Sequence, residues 1–156
     1  MLLNFLSALR PMFRDAEIAL VLTPEDVHDP SLGIEDGYTF DICLRRPHRR
    51  IGYISLRLGE SPALYYLGHI GYRVDAAYRG HGYAARACHL MLPLLQELHL
   101  RSISITANPE NTPSRKTCEH IGCELESIVA VPSAYRAVCA GAEYKCRYIL
   151  LVPEKA

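Results

Sequence analysis

Tryptophan is absent from the 156 residues, and so is any imbalance of charge: 17 lysines and arginines face 17 aspartates and glutamates. A chain without net charge has no long-range field to gather nucleic acid or an anionic membrane, and neither is expected as a partner. No apolar run approaches the ~20 residues of a membrane-spanning helix. Met1–Leu9 is apolar but short, lacks a basic flank and runs into Arg10-Pro11 with no small-residue cleavage site, so it does not read as a secretory leader. The six cysteines, at 43, 88, 118, 123, 139 and 146, form no C-x-x-C pair, and their spacings to histidine do not repeat. That excludes the common zinc modules, and no metal is expected. Several of these thiols fall inside apolar periodic segments, as small buried hydrophobes do, which favours a reducing, cytoplasmic setting. No repeat, low-complexity stretch or linker divides the chain, so a single domain over 1–156 is expected.

What is present alternates between two periodicities. Ala16–Leu22 reads as a strand, and Asp26–Gly37, with Asp29-Pro30, Gly33 and Asp36-Gly37 as breakers, as a loop. Tyr38–Leu44 and Ile51–Leu58 suit an antiparallel hairpin. Its tip would hold the basic run Arg45, Arg46, Arg49 and Arg50, a solvated turn or, alternatively, a dock for an acidic partner. Tyr65–Val74 reads as a fourth strand. From Gly82 the period becomes helical: Ala84, Ala87, Cys88, Met91, Leu95 and Leu98 share one face, with Pro93 bending the helix rather than ending it. Ser102–Ala107 alternates as a half-buried strand. Thr112-Pro113 caps a helix that runs to Ile121 and stops at Gly122. Cys123–Val131 and Tyr144–Val152 close the fold around an irregular Pro132–Gly141 connection. This order predicts a mixed α/β (α+β) fold: a mostly antiparallel sheet, flanked by helices, with a parallel pair across a helical crossover.

The chemistry concentrates in Gly71–Ala85. A strand ends near Val74, the turn Arg79-Gly80-His81-Gly82 follows, and a helix starts at once. The free N–H groups and positive dipole end of a helix N-terminus attract anions. Glycines at 80 and 82 let backbone approach a phosphate, and Arg79 adds a guanidinium fork. A tight turn with no ligand is the structural alternative. A Walker loop is excluded because no Gly-Lys-Ser/Thr follows. A dinucleotide site is disfavoured because several strands precede the loop and the next strand ends in Ala107-Asn108.

Arg79-Gly80-His81-Gly82-Tyr83-Ala84 resembles the R/Q-x-x-G-x-G/A signature of the GNAT superfamily of N-acetyltransferases. Asn108-Pro109-Glu110-Asn111-Thr112-Pro113-Ser114 resembles its second motif, 29 residues on from Arg79 to Asn108 with a helix and strand between. Ser114–Gly122 is similar to the corresponding helix of the ribosomal-protein N-acetyltransferase-like branch. The resemblance implies acetyl-CoA as cosubstrate. It places Tyr72, Arg73 and Val74 along the pantetheine arm and Arg79, Gly80, His81, Gly82, Tyr83 and Ala84 around the pyrophosphate. Asn108, Asn111 and Ser114 would face it from the far side, and Arg115 or Lys116 would reach the 3′-phosphate unless they are ordinary surface cations. Two departures stand out. Only about fifteen residues separate Leu22 from Tyr38, where the family commonly has two helices. The tyrosine that the family often carries seven residues after Asn111, as general acid, is Cys118.

Direct acetyl transfer to an amine needs a base, an oxyanion site and an acid. His69 is the candidate base, with Glu60 second and a structural histidine as the alternative. Backbone N–H groups near Arg73–Val74, freed by a bulge, would stabilise the oxyanion. Tyr148 is the candidate acid, with Tyr144 in reserve and Cys118 as a further thiol donor. The acceptor, a small-molecule amine or a protein N-terminus, is not specified by the sequence, and a homodimer is left open. A CoA-binding regulatory or interaction module without turnover is the alternative function.

Overall fold

The computed structural model describes residues 2–155 and, of the first residues, only the backbone of 2–4. Met1 and Ala156, the ends of the expected domain, lie outside them. Helix α1 (Leu2–Leu9) leads into β1 (Ile18–Leu22), and the hairpin β2 (Asp36–Arg45) and β3 (His48–Leu58) follows. Next come α2 (Pro62–Leu67), β4 (Ile70–Val74), α3 (Tyr83–Glu97) and β5 (Ser102–Ala107). The chain closes with α4 (Thr112–His120), β6 (Glu124–Ala130), α5 (Ser133–Arg136) and β7 (Tyr144–Leu151).

The seven strands form one sheet in the order β1-β2-β3-β4-β5-β7-β6. Every neighbouring pair is antiparallel except β4–β5, which is parallel and joined through α3. The expected mixed fold is the observed one. One face of the sheet carries Ile18, Leu20, Phe40, Ile42, Ile54, Leu56, Ile70, Ile103, Ile105, Cys146 and Tyr148 in a continuous core with Met91, Leu94 and Leu95 of α3. Full burial of each such apolar side chain stabilises by roughly 1.5–3 kcal/mol. Five of the six free thiols are buried, and Cys88, Cys118 and Cys146 belong to this core.

Several local readings change. The apolar N-terminal stretch is a helix, and its Leu6 and Leu9 join the core. The expected fourth strand begins late: Pro62–Leu67 is helical because Ser61 caps it, accepting from Leu64 N–H at 3.1 Å, and Gly68 at φ 85° ends it. The aromatic run Leu64-Tyr65-Tyr66-Leu67 resembles a strand in composition, but the cap decides. The hairpin is longer than expected and its tip is only Arg46-Pro47, a cis peptide. Arg49 and Arg50 therefore lie in β3, where Arg50 pairs with Asp41 of β2 at 2.8 Å. The cap of α4 is Asn111, not Thr112: its side chain accepts from Ser114 N–H at 3.2 Å. The 132–141 connection contains a helical turn, held by Tyr135 stacked on Tyr66 at 5.6 Å. Pro93 does not interrupt α3, as expected. Between β1 and β2 stands only a three-residue 3-10 turn, Pro30–Leu32, so no pair of helices covers the sheet there.

Candidate active site

The parallel pair β4–β5 is joined at a single register position, Ile70 beside Ile105, and beyond it the two strands part. Asp75 N–H donates to Ile51 C=O at 2.7 Å, so counting back along the antiparallel ladder Arg73 shares a bonded pair with Tyr53. The backbone groups of Tyr72 and Val74 then point away from β3 into the split. No register shift interrupts β3–β4, so the expected bulge is replaced by this parting of strands, and the exposed amides are those of Tyr72 and Val74 rather than Arg73.

The split leads to the N-terminus of α3. Gly82 caps that helix at φ 74° without a side-chain bond, and Gly80 sits at φ 85°. Both conformations suit glycine, and a Cβ at either would meet nothing within 4 Å. Both positions thus border open space at the start of α3, whose first N–H groups have no side-chain cap. Arg79 folds back, its Nε donating to Val74 C=O at 2.8 Å, so its guanidinium braces the end of β4 at the same place. The rings of His81 and Tyr83 flank the turn 5.5 Å apart. Ala84 packs against the core from the first turn.

Across the split, Asn108 Oδ1 is buried without a hydrogen-bond partner, alone in this among the described residues. A buried, unsatisfied acceptor in the second motif fits a ligand that brings an N–H donor. Asn111 is engaged as the helix cap, and Ser114 Oγ bonds the Tyr72 hydroxyl at 2.9 Å, bridging β4 to α4. Burial raises the Tyr72 pKa, so this phenol stays protonated. Cys118, where the family's tyrosine would stand, is buried. Its bond to Cys123 and its burial push its pKa up, which removes it as a thiolate.

His69 lies on the other face of the sheet. Ser104 N–H donates to its Nδ1 at 3.0 Å; an amide can only donate, so Nδ1 is the acceptor and Nε2 carries the proton. Nε2–H faces Gly59 C=O at 3.3 Å and Glu60 Oε1 at 3.5 Å. Both ring nitrogens are engaged, and the neutral ring has no free lone pair. Tyr148 sits at the rung of Ile105 and is 1% exposed, its hydroxyl oxygen accepting from Arg115 Nε at 3.0 Å. Arg115 is thereby turned inward, also donating to Pro109 C=O, and does not reach outward for a phosphate. Tyr144, the reserve acid, is 54% exposed. Neither the Arg115–Tyr148 bond nor the bridge from Tyr72 has a signal in the sequence; both arise from register. No group of three or more metal-ligating side chains occurs among the described residues. No helix there is long and apolar enough to cross a membrane.

The family model of the acetyltransferase (GNAT) domain matches residues 12–124. No curated protein matches the chain. Among solved structures, a ribosomal-protein alanine acetyltransferase from Vibrio fischeri is similar at TM-score 0.59 and 23% identity, over 74% of this chain and 62% of that one. A microcin self-immunity acetyltransferase solved with acetyl-CoA and AMP is similar at TM-score 0.57 and 16% identity, over 74% and 61%. A ribosomal-protein α-N-acetyltransferase is similar at TM-score 0.63 and 14% identity, over 90% and 97%. The chain thus spans less than two thirds of the Vibrio and microcin enzymes, and nearly all of the third.

Proposed function

The chain belongs to the GNAT acetyltransferase domain family, and from that premise we propose that it moves an acetyl group from acetyl-CoA directly to an amine. The carrying observation is the cleft itself: a split parallel pair that opens onto a glycine-lined helix N-terminus with no side-chain cap. The whole chain acts as one N-acetyltransferase-like domain. The ribosomal-protein enzymes among its structural relatives make a protein N-terminus a natural acceptor, and a small amine fits the same cleft.

Bound acetyl-CoA supplies a thioester carbonyl; the chain supplies the rest. The amides of Tyr72 and Val74 bind along the split, and Asn108 Oδ1 accepts from the opposite wall. The turn Arg79–Ala84 offers N–H groups to the phosphates, with Arg79 bracing the strand end. An amide aimed into the split stabilises developing negative charge on the carbonyl oxygen. Tyr148 gives its proton to the leaving sulfur, and the guanidinium on its oxygen stabilises the phenolate left behind. On the acceptor side, Glu60 with water takes the ammonium proton, while His69 positions Glu60 through Nε2–H. His69 becomes the base itself only if Nδ1 leaves Ser104.

The locked ring of His69 is the observation that favours the second reading, a CoA-binding module without turnover. Two measurements decide. Calorimetry should show acetyl-CoA binding, and ligand at 100 times Kd should stabilise the fold by about 2.7 kcal/mol. Thiol release with a panel of amines should run through many turnovers. Binding without turnover favours the second reading, and no binding at millimolar ligand removes both.

A further inference from the structure

The face of the sheet opposite α1, α3 and α4 is rich in cations, only some of which have counter-ions. By strand alternation and register, Arg57, His69, Arg73, Lys145 and Arg147 all project from it. Of the carboxylates here, Asp41 holds Arg50 at 2.8 Å, Glu126 holds Arg147 at 3.1 Å and Glu60 lies beside His69, while Glu110 acts on Lys145 without forming an ion pair with it. Among the described residues, Arg57, Arg73 and Lys145 make no ion pair.

Arg57 is the informative one. Its Nη1 donates to Gly68 C=O at 3.0 Å, the one acceptor found for its five N–H groups. Its Nη2 lies over Gly71, where a Cβ would come within 2.5 Å; the absence of a side chain at 71 is what admits the guanidinium. Gly71 directly follows the last joined rung, so Arg57 stands at the mouth of the split. Burial lowers the Arg57 pKa. Burial also lowers that of Lys145; Cys139 opposes this, and the nearby Arg57 charge adds to it. Arg57 and Lys145 are both half-buried cations on this face, and an anion reaching both would relieve the cost of burying them.

These cations do not serve the cosubstrate's phosphates. The turn Arg79–Gly82 follows the C-terminal end of β4, whereas Arg57 lies over its N-terminal half, on the face away from α3. An open depression of about 590 Å³, lined by Glu60, Ser61, Pro62, Tyr65 and Tyr66, adjoins His69 and Arg147 on this face. Arg147 lies under its Tyr65 ring at 3.7 Å.

We propose that Arg57 and Lys145 bind a carboxylate of the acceptor, so that the amine acetylated by this protein belongs to an acidic molecule. The inference rests on the acetyl-transfer reading for its catalytic consequence, but the carboxylate site itself is measurable without the cosubstrate. Two sources share the chemistry, a small amino dicarboxylic acid and a protein N-terminus with acidic residues after the first.

The test is calorimetry on the full chain without CoA, with two pairs of probes. One pair is an amino dicarboxylic acid and its diamide; the other is a hexapeptide with acidic second and third residues and its Asn/Gln counterpart. In at least one pair the carboxylate form should bind about tenfold tighter or more, a preference that salt weakens, and the pair that shows it identifies the source. Arg57→Gln and Lys145→Gln should each cut that preference to roughly threefold or less while leaving acetyl-CoA affinity unchanged. Should Arg57→Gln fail to fold, Lys145→Gln carries the test. Gly71→Ala, which displaces the guanidinium without removing it, should give a smaller loss of the same kind. Wild-type protein binding both members of each pair alike overturns the proposal, as does a preference that survives both substitutions. If acetyl-CoA does not bind but the preference and its loss persist, the carboxylate site stands and the acetyl-transfer reading falls.

Discussion

The two faces of the sheet solve different problems with the same seven strands. One face is sealed by α1, α3 and α4 over aliphatic side chains, and its hydrogen-bonding groups are few and mostly paired. The other is covered only by the short helices α2 and α5, and it presents guanidinium, ammonium, imidazole and tyrosine groups to solvent or to each other. Alternation along a strand sends neighbouring residues to opposite faces, so Ile54, Ser55, Leu56 and Arg57 divide between them. Stability is concentrated on the first face and discrimination on the second. The cleft lies where both meet, since the parting of β4 from β5 opens a passage between them.

The comparison is tested most severely by a residue on the sealed face that is assigned chemistry. Tyr148→Phe removes the hydroxyl that accepts from Arg115 Nε, so some stability should be lost while the ring keeps its place in the core. Turnover should fall about 10²–10⁴-fold with acetyl-CoA affinity kept, measured by thiol release and calorimetry. A variant with near-normal turnover would return Tyr148 to the core as a packing residue.

Leu94→Ala on the sealed face should cost about 2–5 kcal/mol in chemical denaturation. Tyr53→Ala on the open face, 37% exposed, should cost clearly less. Equal losses would mean that the open face is also structural.

At the junction, Arg79→Ala removes a charge-assisted bond of about 1.5–3 kcal/mol. CoA affinity should fall accordingly, and affinity for pantetheine lacking the pyrophosphate should fall less. Equal losses for both ligands would make the turn a structural brace only. On the acceptor side, Glu60→Gln should lower kcat/KM more than His69→Gln, measured by thiol release. The reverse order would make the imidazole the base.

The smallest effect concerns the tie between α3 and β1. Arg86 bonds Asp15 at 2.8 Å and Glu17 at 3.2 Å. Burial pushes the Asp15 carboxyl up, but the Arg86 hydrogen bond and the Ile18 and Glu17 amides together hold it below its usual value. A depressed carboxyl stabilises the fold above its unfolded pKa of roughly 3.9, and that contribution is lost as pH falls through the folded value. Asp15→Asn should therefore cost less than about 1 kcal/mol at neutral pH and nothing near pH 2, read from melting curves.

Much of the local structure around the two motifs was legible because it depends on local chemistry. Glycine at positive φ, the strand-turn-helix order around Arg79–Ala84 and the asparagines of the second motif are all written in consecutive residues. The helix periodicity of 83–97 was equally plain, since one apolar stripe recurs there. The Pro62–Leu67 helix was not, because a short aromatic run has no clear period and only the Ser61 cap distinguishes it.

The sequence by itself determined the fold class, the glycine turn that opens α3 and the absence of a tyrosine in α4, since each follows from residue type and spacing. Only the tertiary structure decided what His69, Arg57, Tyr148 and Tyr72 are bonded to. Their partners are 35 residues away for His69 and Ser104, 33 for Arg115 and Tyr148, and 42 for Tyr72 and Ser114. A side chain's free lone pairs and uncompensated charges depend on what register brings opposite it, and register between distant strands is a property of the packed sheet rather than of any one segment.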